Sequence, residues 1–145
     1  MSKVLLACMF AVFFALTGCR DSTEVEPSVN ENGGKKTGYQ KIAAAEARRI
    51  MEDGRAFILL DVRTGEEFAD ERIDGAVLLP NNEIRERAAS VLVDKDMRVF
   101  VYCRSGRRSE QAANELAAMG YANVFDIGGI MDWPYETVGG KAGGN

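Results

Sequence analysis

Four short apolar runs that do not alternate with polar residues constrain this chain more than any other feature. They are Phe57-Ile58-Leu59-Leu60, ending at Asp61; Ala76-Val77-Leu78-Leu79, stopped by Pro80; Val99-Phe100-Val101-Tyr102, ending at Cys103; and the weaker Asn123-Val124-Phe125-Asp126. A strand with one wet face alternates apolar and polar side chains. A run apolar at every position suits a strand covered on both faces, as in a parallel sheet between helices. The segments between the runs have helical patterns. Ala43 to Met51 is rich in Ala, Glu and Arg and closes near Gly54. Thr64-Gly65-Glu66-Glu67 has the spacing of a capping box that opens a short helix. Glu83 to Val91 sets Ile84, Ala88, Val91 and Leu92 on one side. Arg108 to Met119 does the same with Ala112, Ala113, Leu116 and Met119, then stops at Gly120. Strand and helix alternating through short connections predict an α/β domain over residues 37–138, with an open, mostly parallel central sheet flanked by helices on both faces.

Composition narrows the chemistry available to such a domain. The 145 residues include no histidine, which excludes His-ligated metals and both Ser-His-Asp and Cys-His catalysis. A catalytic group must be Cys, Lys, Tyr, a carboxylate or an array of backbone N–H groups. The formal net charge of −4 suggests no nucleic-acid surface. Of Cys8, Cys19 and Cys103, only the last falls within residues 37–138. That segment therefore holds no internal disulfide and no Cys-x-x-Cys pair for redox work or zinc, and no metal is expected.

Cys103 follows an apolar strand and precedes a helix, with Arg104-Ser105-Gly106-Arg107-Arg108-Ser109 after it. In an α/β sheet, ligands bind at the carboxyl ends of strands. A tight loop there, with a glycine to permit unusual backbone angles, turns its N–H groups inward and forms an anion nest at a helix N-terminus. With Cys103 at the centre, the anion is its own thiolate or persulfide. Three arginines add positive potential, which also favours the thiolate. A lone cysteine at a strand end is ordinarily a small apolar residue. Three arginines, two serines and a glycine make poor core neighbours for one and good anion ligands.

Tyr102-Cys103-Arg104-Ser105-Gly106-Arg107-Arg108-Ser109 resembles the active-site loop of rhodanese-like domains. Asp61-Val62-Arg63, with Glu67-Phe68 and Ile73-Asp74-Gly75-Ala76, resembles the family's first signature. Gly120-Tyr121, Gly128-Gly129-Ile130 and Trp133-Pro134 resemble its last. The resemblance spans residues 39–135 in order, and it implies the same open α/β fold and sulfane-sulfur transfer without metal or organic cofactor. On that basis Cys103 is the nucleophile and residues 104–108 the cradle. The side chains of Arg104, Arg107 and Arg108 attract and orient a thiosulfate-like anionic donor, and a thiol or cyanide is the acceptor. Asp61, Arg63 and Glu67 are signature charges, expected to form an ion pair that supports the loop. Arg72 stands where the family usually has His and is expected to be structural, and Trp133 is expected to pack a C-terminal turn. Three alternatives stay open. One is a phosphatase or arsenate reductase, although those use Cys-x5-Arg and here Arg108 falls one residue earlier. The others are a binding module without catalysis and a redox-sensing thiol.

The N-terminal segment has the form of an address. Met1-Ser2-Lys3 is basic, Val4 to Leu16 is almost wholly apolar, and Leu16-Thr17-Gly18-Cys19 follows. The apolar run is short for a membrane span and has the length of a signal-peptide core. Its end looks like the lipobox of bacterial lipoproteins, which predicts cleavage after residue 18, lipidation of Cys19 and attachment to a membrane facing the periplasm or exterior. Arg20, in place of Asp, leans toward the outer membrane where the organism has one. Residues 19–36 are polar and predict a disordered tether with a reach of roughly 20–25 Å. Residues 139–145, GGKAGGN, predict a flexible tail.

Overall fold

A computed structural model describes residues 38–140 of the chain. The expected signal peptide (1–18), lipidated Cys19 and tether lie outside those residues, as does the tail beyond residue 140. The element order is β1 (Gln40–Lys41), α1 (Ala44–Met51), β2 (Phe57–Asp61), α2 (Gly65–Asp70), β3 (Val77–Leu78), a 3-10 turn (Asn81–Glu83), α3 (Ile84–Val91), β4 (Arg98–Cys103), α4 (Arg107–Ala118), β5 (Asn123–Gly129) and a second 3-10 turn (Ile130–Asp132). The five strands form one sheet in the order β1-β5-β4-β2-β3, and every ladder is parallel.

In the central strand β4 the lack of alternation has the cause expected, whereas Val77 of the edge strand β3 and Phe57 at the start of β2 are exposed. In β4, Val99, Val101 and Cys103 face one side and join a core with Ile84 and Ala88 of α3 and Ala112, Ala113 and Leu116 of α4. Phe100 and Tyr102 face the other side and join a second core with Ala47 of α1, Leu59, Ile127, Ile130 and Trp133. Both sheet faces are covered, so both sets of side chains are apolar. The capping box at α2 is complete: Thr64 Oγ1 accepts from the Glu67 N–H, and the Glu67 carboxylate accepts from the Thr64 N–H.

Two features depart from the sequence reading. Strand β1 was not legible, because a two-residue polar edge strand has neither length nor pattern. Residues 139 and 140, expected to open a flexible tail, lie instead against the end of α2. Gly140 N–H donates to Ala69 O, and Arg72 and Val138 exchange two backbone hydrogen bonds of 2.7 Å. Glycine content signals backbone freedom, and here that freedom lets the chain lie close against the end of α2.

Chain connections run outward from β2 to β3 and in the opposite direction from β4 to β5. Sheets of this kind bind ligands at the carboxyl ends of the two strands that flank such a reversal, here β2 and β4. Cys103 is the last residue of β4.

Candidate active site

Cys103 ends its strand just as the chain must turn back into α4. Gly106 supplies the turn with φ = +96°, a left-handed conformation that glycine adopts without a Cβ penalty, and is also the residue immediately before α4. It has no side chain to cap the helix. The first N–H groups of any helix lack intrahelical partners, and they carry the positive end of the helix dipole. Here the sulfur takes the place of the cap. Gly106 N–H donates to Cys103 Sγ at 3.1 Å.

The thiol is almost fully buried, at 1% exposure. Burial pushes its pKa up, since a thiolate loses hydration there. The N–H and hydroxyl of Ser109 and the N–H groups of Ser105 and Gly106 outweigh that effect, leaving the thiol below its ordinary value. The thiolate is favoured by fixed dipoles aimed at sulfur.

Ser109 is a site residue beyond the 104–108 cradle expected from the sequence. It is fully buried on the first turn of α4. Its Oγ accepts from the Cys103 thiol at 3.7 Å, and its hydroxyl can donate to Gly106 O at 2.9 Å or Gly128 O at 3.2 Å. When the thiol loses its proton, the hydroxyl can rotate to donate to sulfur instead. Its signal in sequence was a polar residue on the helix face that carries Ala112, Ala113 and Leu116.

The loop is pressed against the end of β5. A Cβ on Gly129 would lie 2.7 Å from Ser105 Cα and would overlap the carbonyl of Arg104. Met131 N–H holds that carbonyl at 3.2 Å. Only a residue without a side chain admits so close an approach.

The arginines divide by role. Arg104 and Arg107 are exposed, and among the described residues neither is paired with a carboxylate. Arg108 is not free to orient a ligand as expected. Its two guanidinium nitrogens each donate to Glu67 at 2.8 Å. That pair holds the Glu67 carboxyl well below its usual range, at about 2, with the Thr64 N–H and hydroxyl assisting. The charge of Arg108 thus ties α2 to the active loop. Asp61 and Arg63 form the expected supporting ion pair. Both are buried, with Nε–Oδ1 at 2.9 Å and Nη2–Oδ2 at 2.6 Å. The guanidinium also donates to Glu71 O and lies 5.5 Å from the centre of the Tyr102 ring. Arg63 therefore braces the residue preceding Cys103. Arg72 stands over the Phe68 ring and bridges to Val138, so its contacts lie outside the loop cluster. Trp133 is buried edge-on to Tyr135 in the second core. No group of metal-ligating side chains occurs among the described residues.

Taken as chemistry, the arrangement is a sulfur nucleophile in a ring of N–H donors, with two free guanidinium groups nearby. It can stabilise negative charge on sulfur and draw in a small anion.

The family model for the rhodanese-like domain matches residues 43–135. The thiosulfate sulfurtransferase PspE of Escherichia coli is 41% identical over 81 residues, which span 56% of this chain and 78% of that protein. A sulfurtransferase of Allochromatium vinosum is 39% identical over 84 residues, spanning 57% of this chain and 77% of its own. Among solved structures, a rhodanese with anions from E. coli superposes with a TM-score of 0.56 at 40% identity, covering 59% of this chain and all of the other.

Proposed function

The chain belongs to the rhodanese-like domain family, and from that premise we propose that it transfers sulfane sulfur from thiosulfate or a similar anionic donor to a thiophilic acceptor through a persulfide on Cys103. The observation that carries this reading is the sulfur cap: Gly106 N–H at 3.1 Å from Sγ, with other fixed N–H groups and Ser109 lowering the thiol pKa. Arg104 and Arg107 are the exposed charges suited to guiding a dianion to the loop. The Cys103 thiolate attacks the outer sulfur of thiosulfate. The S–S bond of the donor breaks and sulfite leaves with the bonding electrons. The product, a Cys103 persulfide, carries its charge on the terminal sulfur, within the same ring of donors. Attack on that sulfur by cyanide or a thiolate returns the Cys103 thiolate. Neither half-reaction needs a general base once the thiolate is present, which suits a chain without histidine.

Incubation with thiosulfate is expected to add one sulfur atom to the protein by intact mass. With cyanide present, thiocyanate should form, and both signals should vanish in Cys103→Ser. A wild-type protein that forms no persulfide but hydrolyses an aryl phosphate would instead be a phosphatase.

The sequence from Val4 to Cys19 further supports a lipid anchor on Cys19 in the cell envelope. Cys19→Ser should then move the protein from the membrane fraction to the soluble one. Retention in the membrane would exclude that anchor.

A further inference from the structure

Asp126 has no part in the cores or in the loop, yet it is completely buried in β5, opposite Val101 of β4 and Lys41 of β1. Burying a carboxylate is costly unless it is paired and hydrogen-bonded. Among the described residues its Oδ2 has no hydrogen-bond partner. The nearest cation among the described residues is the Lys41 ammonium at 3.9 Å, whose side chain is 63% exposed. Compensation by charge is therefore weak. The charged and titratable groups around it are Lys41 and Tyr39 from the β1 side and Glu110 of α4, which accepts from Tyr39 and lies 3.9 Å from Lys41. A residue kept buried on such terms has a purpose other than stability.

Its bonded oxygen shows that purpose. Asp126 Oδ1 accepts the Gly128 N–H at 3.0 Å, an Asx turn two residues long. That turn coincides with a register shift. Val101 pairs with Asp126, and then Cys103 pairs with Gly129, so β5 carries one residue more than β4 between the two pairs. The shift is a bulge, a device that re-aims the residues beside it. It places Gly128 O within 3.2 Å of Ser109 Oγ and sets the Gly128 backbone against Gly106. It also brings Gly129 beneath Arg104 and Ser105. These are the backbone and side chain that surround Cys103 Sγ.

We infer that Asp126 is a positioning residue for the Cys103 loop: its buried carboxylate fixes the Gly128 amide and, through the bulge, the surface on which the loop's N–H groups are aimed at sulfur. This role rests on the sulfurtransferase reading for its purpose, but its test reads the thiolate alone. The rate of Cys103 alkylation by iodoacetamide is measured against pH in the full chain, with Cys103 modification followed by peptide mass. Asp126→Ala removes the acceptor and is expected to raise the inflection. About half a pH unit corresponds to about threefold slower alkylation near neutrality. Asp126→Asn keeps an acceptor oxygen for Gly128 and loses only the charge, so its inflection should lie at or below that of wild type. Three results would overturn the proposal. The first is an Ala variant that is folded, even if less heat-stable, with an unmoved inflection. The second is equal upward shifts in the two variants. Should the Ala variant not fold, an Asn inflection above wild type is the third. None of these outcomes bears on whether sulfur is transferred, which the persulfide mass reads separately.

Discussion

The reactivity of a single sulfur depends here on where a few hydrogens point. Arginine charge was the obvious source of thiolate stability in the sequence, but Arg108 is engaged by Glu67 and its neighbours Arg104 and Arg107 are exposed to water, which screens them. Backbone N–H groups and the Ser109 hydroxyl are buried, fixed and close, so they dominate. Ser109 is therefore the side chain whose loss should be felt most directly at sulfur. Ser109→Ala removes the hydroxyl and keeps the helical backbone and its N–H, so the thiol pKa should rise while the fold persists. A hydrogen bond to a charged group is worth about 1.5–3 kcal/mol; at 3.7 Å to sulfur the effect belongs at the lower end. Alkylation of Cys103 at neutral pH should slow by about tenfold, since about 1.4 kcal/mol is one pH unit. An unchanged alkylation profile would show that the backbone array suffices alone. Arg104→Ala should leave that profile nearly unmoved, because its guanidinium is not among the groups that hold the sulfur.

At the scale of elements, legibility followed burial and pattern. β2, β4 and the helices α1, α3 and α4 were readable because each carries a long or unbroken apolar signature, and α2 because its capping box is spelled out by Thr64 and Glu67. The loop after Cys103 was readable because arginine, serine and glycine are out of place beside an apolar strand. β3 and the first half of β5 were readable more weakly, and the rest had no local signal. β1 is two polar residues that pair only because β5 offers an open edge. β5 runs three residues beyond Asp126, through an Ile-Gly-Gly stretch that looks like a strand's end. There the glycines are strand residues, one of them made necessary by the carbonyl of Arg104 lying directly above it. The pairing of Arg108 with Glu67 joins residues 41 apart in the chain. Residue type announced both charges, and only the folded chain, which brings the first turns of α2 and α4 within reach of each other, reveals which carboxylate meets which arginine. The loop is thus held by β5 from below and by α2 from the side.

For the molecule as a whole, those tertiary ion pairs fix how stability responds to pH. The chain has no histidine, so no imidazole contributes to stability between about pH 5 and 8. The carboxylates act lower. Glu67 is held at about 2 by Arg108 and the cap of α2, and Asp53 is held well below its usual range by Arg98 and Arg55. A carboxyl with a depressed folded-state pKa binds protons more readily in the unfolded chain. Its contribution is complete above the unfolded value near 4 and is lost as pH falls toward the folded one. As the carboxylates protonate, the 18 Lys and Arg residues remain charged, and self-repulsion adds to the loss. The carboxylate contribution to the urea midpoint should accordingly be level above about pH 5 and fall steeply between about pH 4.5 and 2, while the lowered Cys103 thiol adds stability only toward alkaline pH. Glu67→Gln separates the local cause from the general one. At neutral pH it should lower the midpoint, because Arg108 loses its charged partner, while the amide oxygen can still accept the Thr64 N–H. Between pH 4.5 and 2 its decline should be shallower than that of wild type, because the variant has no carboxylate at this position left to protonate. If the two proteins fall in parallel, the other carboxylates and self-repulsion govern the acid limb, and the link between α2 and the loop contributes nothing measurable to it.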